Sequence, residues 1–497
     1  MKLKKNLKGT AAVLLSLALV GSLCGCGGDS KSEKGEDKDK SAKQAEGITS
    51  VKVCIPNYDS PADTDEVEAA INEIAEEKYG VHLDIEFIAT GNWTQQTNLM
   101  LTSDEVDVLA LYGTPFSSFV NNGQLLDLTD YWANASGEFK EEWSEEELRP
   151  FQSGGKLYAI PNFRDYGGYL GGVIDEDIAA EFGITEGQDM TWEELDSFLQ
   201  EAHKKYPERY GLVPTGGTAL ISSWTWDGMG DTKYLGVLPN KGQDSTKVEN
   251  LFDTEDFKNF TRWARKWYED GITMPDILSN TEGYKSMFQA DKAIAAINTV
   301  GKNLMTGLVN FHITDYFVGT DVYQMVSYGI NANSSNPDAA WKAMEAIYTD
   351  KEIGTLLTNG IEGKHYVLDD KGAASYPEGK DASTAGYNLI EAYWFVPYAP
   401  NSYPASSNGP EFYDNLIKQK EEAVMSKAFG FAFDSSPVID EYTACSNVMD
   451  KYYKALMSGA VDPESTMEQA GAELGAAGID KIIQEKQKQL DAWLAEQ

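Results

Sequence analysis

Cysteine, histidine and positive charge are all scarce in this chain of 497 residues. Of its four cysteines, Cys24 and Cys26 lie together near the start. The other two stand alone, Cys54 in the apolar run Val51-Lys52-Val53-Cys54-Ile55 and Cys445 in a helical stretch near the other end. That excludes a disulfide framework or a metal knuckle and leaves each as a small buried hydrophobe. The four histidines, His82, His203, His312 and His365, show no HExxH spacing. No GxSxG elbow, Walker loop or complete EF-hand loop is present. A glycosidase needs two carboxylates, but among 79 acidic residues some pair always exists, so that feature decides nothing. The chain is read as a non-enzyme, with no metal or other cofactor expected. Against the 79 acids stand 41 Lys+Arg, a net charge of −38. Such a chain repels phosphate backbones and anionic headgroups, which excludes nucleic acid as a partner. Internal repeats of solenoid or propeller length are also missing.

Near the start a short hydrophobic run, Ala11 to Leu23, follows Lys2, Lys4, Lys5 and Lys8. It is too short for a transmembrane helix and has the layout of a secretory signal peptide. It ends in Leu23-Cys24-Gly25-Cys26, which resembles the bacterial lipobox, with leucine three before the cysteine and a small residue directly before it. Residues 1–25 are therefore expected to be the leader, and Cys26 the lipid-bearing N-terminus. Cys24 does not fit, because bulky Leu23 would precede the cut. Four lysines leave with the leader, taking the charge from −38 to about −42. Gly27 to Gly47 has no aromatic and no large aliphatic residue, so 26–47 reads as a flexible tether.

From about Ile48 the pattern changes. Val51–Pro56 predicts a strand. A helix over 63–79 follows, apolar at Val67, Ala70, Ile71 and Ile74 and stopped by Gly80. Val81–Ile88 alternates as a second strand, 93–102 predicts a helix, and Val106–Leu111 a third strand. This βαβ order implies a largely parallel sheet in an α/β lobe. Further on, Thr191 and Glu194 hold capping-box positions. Helices are expected over Phe257–Asp270 and Pro337–Tyr348, and strands over Ala293–Asn298 and Met325–Asn331. Ile479, Ile482, Ile483, Leu490, Trp493 and Leu494 form one apolar stripe on a closing helix.

Gly154–Gly172 reads GGKLYAIPNFRDYGGYLGG. A strand over Lys156–Ile160 ends at Pro161. Arg164, Asp165, Tyr166 and Tyr169 then sit among Gly167, Gly168, Gly171 and Gly172, which permit close backbone approach. Two readings stay open: a surface hairpin loop, or a segment crossing between lobes and floored by ligand-binding groups. Among the eleven tryptophans, Trp263 and Trp267 are four apart on one helix and read as core. Trp132, Trp143, Trp192, Trp341 and Trp493 also fall in or beside helical patterns. Trp93 follows Thr90-Gly91-Asn92 at a strand-to-helix turn, Trp224 and Trp226 sit among small polar residues, and Trp394 sits in Tyr393-Trp394-Phe395-Val396-Pro397. That pattern fits a sugar cleft, where a flat ring covers the C–H face of a pyranose. A buried loop anchor is the alternative.

The order of these pieces resembles the extracellular solute-binding proteins of bacterial ABC importers, in the large carbohydrate-binding branch. Asp107-Val108-Leu109-Ala110 with Gly123-Gln124-Leu125-Leu126-Asp127-Leu128-Thr129 carries the first part of the likeness. Gly155-Lys156-Leu157-Tyr158-Ala159-Ile160-Pro161, Met287–Asn298 and Tyr328-Gly329-Ile330-Asn331 carry the rest, each standing at a hinge crossing. Gly360–Tyr366 and Gly478–Trp493 resemble a lipoprotein subgroup of Gram-positive bacteria. The resemblance implies a two-lobed, periplasmic-binding-protein-like α/β fold, with a ligand cleft between lobes joined by three crossings. It places 48–165 plus 298–328 in the first lobe and 166–297 plus 329–497 in the second. It puts Asn298, Tyr328 and Asn331 at the cleft, beside Arg164, Asp165, Tyr166 and the four loop tryptophans. The implied function is a monomeric, lipid-anchored protein on the outer face of the membrane, passing a sugar to the permease subunits of an ABC importer. Arg164 could grip a uronic carboxylate or share hydroxyls with Asp165, and the acidic chain favours a neutral oligosaccharide. A secreted glycoside-active enzyme and a binder of peptides or other solutes are the alternatives.

Overall fold

The structure, a computed structural model, describes residues 47–495 apart from 104, 167, 216–218, 221–224 and 300–306. The leader, Cys26, the tether and Trp224 lie outside the described residues, as does the side chain of Asn298.

The chain opens with β1 (Thr49–Asn57), α1 (Thr64–Tyr79), β2 (Val81–Ala89), α2 (Trp93–Ser103) and β3 (Val108–Tyr112). β1 pairs parallel with β2 and β3, as the βαβ pattern requires. Gly80 ends α1 at φ 69°, a left-handed conformation that side chains resist. The expected strand over 156–160 is split: Lys156–Leu157 pairs antiparallel with Gln152–Ser153 in a short hairpin, and β4 is Ile160–Pro161. Then come β5 (Leu170–Asp175), β6 (Gln188–Asp189), α3 (Trp192–Lys205), β7 (Tyr210–Val213), α4 (Glu255–Glu269), β8 (Ala293–Thr299) and β9 (Leu308–His312). The capping box forms at α3: the Glu194 amide donates to Thr191 Oγ1 at 3.2 Å, and the Thr191 amide to Glu194 Oε2 at 2.8 Å. The main elements of the remainder are β10 (Phe317–Val318), β11 (Val326–Ile330), α5 (Pro337–Thr349), α6 (Lys351–Asn359), α7 (Phe412–Glu422), β12 (Val424–Met425), α8 (Ile439–Met457), α9 (Pro463–Ala477) and α10 (Ile479–Leu494).

Among the described residues two five-stranded sheets form, ordered β2-β1-β3-β11-β4 and β6-β9-β5-β8-β7. Each has its own hydrophobic core, which makes two α/β lobes. Cys54 and Cys445 are buried, one in each core.

The lobe boundaries depart from those the resemblance implies. Residues 298–328 do not return to the first lobe as one piece: β8 and β9 both pair with β5 in the second sheet, and the chain re-enters the first lobe only at Val326, where β11 begins. Residues 329–497 are not all in the second lobe. α5 and α6 pack on β1, β2 and α1, and Lys78 on α1 bridges Asp350 and Glu352 at 2.9 and 2.7 Å. Tyr387, Leu389, Phe395 and Phe412 fill the same first core. Only α8–α10 rejoin the second core, through Cys445, Leu456, Leu474 and Ile482. The first lobe is therefore 47–161 plus 326–422, and the second 170–312 plus 434–495.

Among the described residues three segments cross between the lobes: 162–169, 313–325 and 423–433. The first is the crossing anticipated within Gly155–Gly172. Ala293–Asn298 and Met325–Asn331 are instead strands inside the second and first sheets. The crossings are bonded into one ribbon. The Gly168 amide donates to the Phe317 carbonyl at 2.9 Å, the Phe317 amide to Gly168 at 2.7 Å, and β10 pairs parallel with β12.

Candidate functional site

Strand direction fixes where a ligand can meet the backbone. β1, β2 and β3 run parallel, so Asn57, Ala89 and Tyr112 end at one edge. β11 runs antiparallel to β3, with Val326 opposite Tyr112, so it starts at that edge. Ligands of α/β sheets bind outside such carboxyl ends.

An aromatic and charged cluster stands there. Tyr58 follows β1 and is 58% exposed, and Tyr112 closes β3. The Tyr58 turn is fixed by its own amide, which donates to Asn57 Oδ1 at 2.8 Å. Trp394 stacks on Phe395 at 3.8 Å, and its indole N–H donates to the Tyr58 hydroxyl at 3.2 Å. The Tyr112 ring meets Trp394 and Phe395 edge-on at 6.4 and 5.3 Å. The Arg164 guanidinium lies 5.6 Å from the Trp394 ring centre. Its Nη2 is 3.2 Å from Asp165 Oδ1 and its Nη1 2.7 Å from Met325 Sδ. Its Nε is buried with no partner among the described residues. Arg164 is thus mostly buried, while Asp165 and Trp394 are half-buried and accessible.

Trp394 lies in the 3₁₀ segment Leu389–Phe395, which with residues 396–397 is pinned by three donors. Asn162 Nδ2 donates to the Trp394 carbonyl at 2.6 Å, the Phe163 amide to Pro397 at 2.8 Å, and the Tyr328 hydroxyl to Phe395 at 2.5 Å. Tyr328 is fully buried and acts on the site from beneath rather than in it.

Arg164, Asp165 and Trp394 are therefore brought together, and the other expected residues with described side chains are not. Trp93 is 1% exposed, inside the first core. Trp226 is also 1% exposed, its ring edge-on to Tyr234, Phe257 and Phe260 in the second core. Tyr166 is buried in the ribbon, stacked on Tyr323 at 3.8 Å, with its hydroxyl donating to the Asn162 carbonyl. Asn331 sits at the opposite edge, its Nδ2 donating to the Val106 carbonyl at 3.0 Å. The cause is the antiparallel run of β11, whose carboxyl end meets the amino end of β3. Asn298 lies in β8 opposite Gly171. Tyr58 and Tyr112 were not singled out by the sequence patterns. Their signal was an aromatic directly at the carboxyl end of an apolar strand, in Asn57-Tyr58-Asp59 and Leu111-Tyr112-Gly113.

In the second lobe, β8 and β9 both run antiparallel to β5, so the carboxyl end of β9 lies beside the start of β5, where the ribbon enters. A cavity of about 810 Å³ opens beside them, between the start of α3, α4, the 240–243 turn and crossing residues 313–315. Lys241 forms part of its wall. Its Nζ donates to Thr314 Oγ1 at 3.1 Å and lies 4.0 Å from the Phe317 ring centre. Burial pulls its ammonium down to about 8, against the opposing pull of Asp315 and Asp256. The turn is left-handed at Asn240, Lys241 and Gly242 (φ 45°, 53° and 69°), and a Cβ on Gly242 would fall 2.2 Å from Ser426 Oγ. In the first lobe, a cavity of about 680 Å³ is walled by Glu142, Trp143, Phe163, Tyr398 and Lys420. Burial, with repulsion from Glu138, pushes the Glu142 carboxyl up to about 9. His365 is structural: its Nδ1 accepts from the Ile361 amide at 2.9 Å, and its Nε2 is 3.2 Å from Asp63. Among the described residues no acid, histidine and cysteine cluster could hold a metal, and no helix is long and apolar enough to cross a membrane.

Two lobes on a three-segment ribbon, with a cluster at the strand ends, make a trap for a small solute, and sequence comparison agrees. The family model for bacterial extracellular solute-binding proteins matches residues 61–353. The chain belongs to that family. Residues 427–495 of this solute-binding protein match a domain of unknown function. It is 25% identical over 452 residues to a carbohydrate ABC transporter substrate-binding protein of Streptococcus pneumoniae, covering 88% of this chain and 89% of that one. Its fold is similar to the crystal structure of an N-glycan transport solute-binding protein of S. pneumoniae (TM-score 0.77, 22% identity, 90% of this chain and 99% of that one). Against the same protein in complex with Man1GlcNAc the TM-score is 0.67, at 22% identity and covering 90% and 100% of the two chains. The family acts outside the membrane.

Proposed function

We propose that this solute-binding protein captures a neutral oligosaccharide and delivers it to the permease subunits of an ABC importer. The observation that carries the reading is the accessible Trp394 ring beside the Arg164–Asp165 pair, at the carboxyl ends of β1 and β3. An indole face covers sugar C–H groups, while a paired guanidinium and carboxylate offer donors and acceptors to hydroxyls. Arg164 already faces Asp165 and Met325, which favours hydroxyls over a uronic carboxylate, and the net charge of −38 disfavours an anionic ligand at long range. The S. pneumoniae relative is named for carbohydrate, and the structural neighbour for N-glycans, which supports a sugar over a peptide. The lower TM-score against the sugar-bound neighbour supports lobes that rearrange on capture. Catalysis has no part in this reading.

Calorimetry against a panel of neutral oligosaccharides tests it. Trp394→Ala is expected to cost about 2 kcal/mol of binding, roughly thirtyfold in affinity. Trp93→Ala, which empties the first core, should lower the melting temperature instead. Normal sugar binding by Trp394→Ala, hydrolysis of the sugar, or a preference for peptides would each overturn the reading. Cys26 is proposed as the lipid anchor, so Cys26→Ala should move the protein from the membrane fraction to the medium. A variant that still pellets with membranes at the wild-type level would rule that out.

A further inference from the structure

The second-lobe cavity is not used by the site at Trp394, yet it is furnished in a related way. Trp192 stands half-buried in its wall, with Phe260 edge-on at 5.4 Å. The indole is held by a row of others: Trp263 stacks on it at 6.3 Å and 16°, and Trp267 stacks on Trp263 at 5.7 Å and 28°. Trp267 is tied in turn by its N–H to Asp196 Oδ1 at 3.0 Å. A ring fixed in this way presents an apolar face with little conformational entropy left to lose on binding.

Hydrogen-bonding groups without partners surround it. The Thr225 hydroxyl is buried with no partner among the described residues. The side chains of Gln243 and Asn259 make no hydrogen bond among the described residues, although both line the cavity. Amides and a hydroxyl supply donor and acceptor together, which suits sugar hydroxyls and acetamido groups. Among the described residues the charge lining is five carboxylates against the single ammonium of Lys241, which repels anions. About 810 Å³ falls within the roughly 300–1,000 Å³ of small-molecule sites.

We propose that this cavity is a second sugar subsite, which takes a neutral hexose or N-acetylhexosamine unit of the captured oligosaccharide on Trp192, with Gln243 and Asn259 as its polar partners. The proposal rests on the capture of an oligosaccharide at Trp394, so its test must separate the two.

Calorimetry on the full protein would compare wild type, Trp192→Ala, Asn259→Ala and Trp394→Ala against neutral oligosaccharides from disaccharide to hexasaccharide. Trp394→Ala is expected to weaken every length. Trp192→Ala and Asn259→Ala should weaken the longer sugars about tenfold and leave the disaccharide unchanged. Melting curves check folding, and if Trp192→Ala no longer melts cooperatively, the binding of Asn259→Ala decides. If both cavity variants bind long sugars normally while Trp394→Ala does not, the subsite falls alone. Equal weakening of short and long sugars by Asn259→Ala also overturns it. An acid-terminated hexasaccharide that binds as tightly as the neutral one, and depends on Asn259, would overturn its neutrality. If Trp394→Ala binds every length normally, the capture reading itself fails.

Discussion

Glu142 shows how one residue can set a pH dependence. Its Oε2 is buried with no partner among the described residues. Lys420 gives it little relief, because that ammonium lies 2.6 Å from Glu147. Despite its own desolvation, Glu147 is held below the usual carboxylate range by Lys420 and by bonds from Ser144. Folding thus keeps a proton on Glu142 that the unfolded chain releases. Its contribution to stability is whole below about 4.5 and is lost as pH rises through about 9. Glu142→Gln should therefore raise the melting temperature by ~2 °C or more at pH 8 and change little at pH 4. Thermal melts at both values check this, and a gain confined to pH 4 would contradict it. At this scale the sequence was partly legible. Arg164 and Asp165 were readable because a charged pair among glycines has few structural uses, and Trp394 because its neighbours form no helical pattern. Trp93 and Trp226 satisfied the same loop rule and are core. A ring in a loop is exposed or buried according to what packs over it, and those partners, such as Phe257 and Phe260 for Trp226, are remote in sequence.

Element by element, α10 is the instructive case. Its stripe is buried as expected at Ile479, Ile482 and Leu490. Lys486 falls in the same stripe and is 0% exposed. Its ammonium pairs with Asp231 Oδ2 at 3.0 Å, donates to the Gly236 carbonyl at 2.8 Å and lies 4.7 Å from the Phe433 ring centre. Asp231 also accepts from the Leu235 amide and the Tyr442 hydroxyl, at 2.8 and 2.7 Å. The closing helix thereby pins the 228–236 loop, which runs on into the Lys241 turn. Lys486→Met, which leaves Asp231 buried without its cation, should cost about 3 kcal/mol in chemical denaturation. An unchanged midpoint would mean that the pair adds nothing. Helices and strands were legible because their periodicities are local. Their allegiance to one sheet or the other was not. β11 looks alike whichever sheet it joins, and only pairing with β3, more than two hundred residues earlier, settles the matter.

For the whole molecule, the ribbon concentrates bending in three short bonded segments between two separate cores. Adding a neutral oligosaccharide that calorimetry has shown to bind should reduce the radius of gyration in solution scattering. An unchanged profile at saturation would count against a closing trap. The ribbon has another side, because crossing three times means that neither lobe is a continuous stretch of chain. β11 fills the gap between β3 and β4, so the first sheet stays incomplete until residue 330 has been made. The second core waits still longer, for Leu456, Leu474 and Ile482. Cooperative folding is thus postponed until almost all of the chain exists. For a protein whose family acts outside the membrane such a delay would be an advantage, because a chain that stays slack until its last helices are free can thread a narrow channel and lock into shape on the far side.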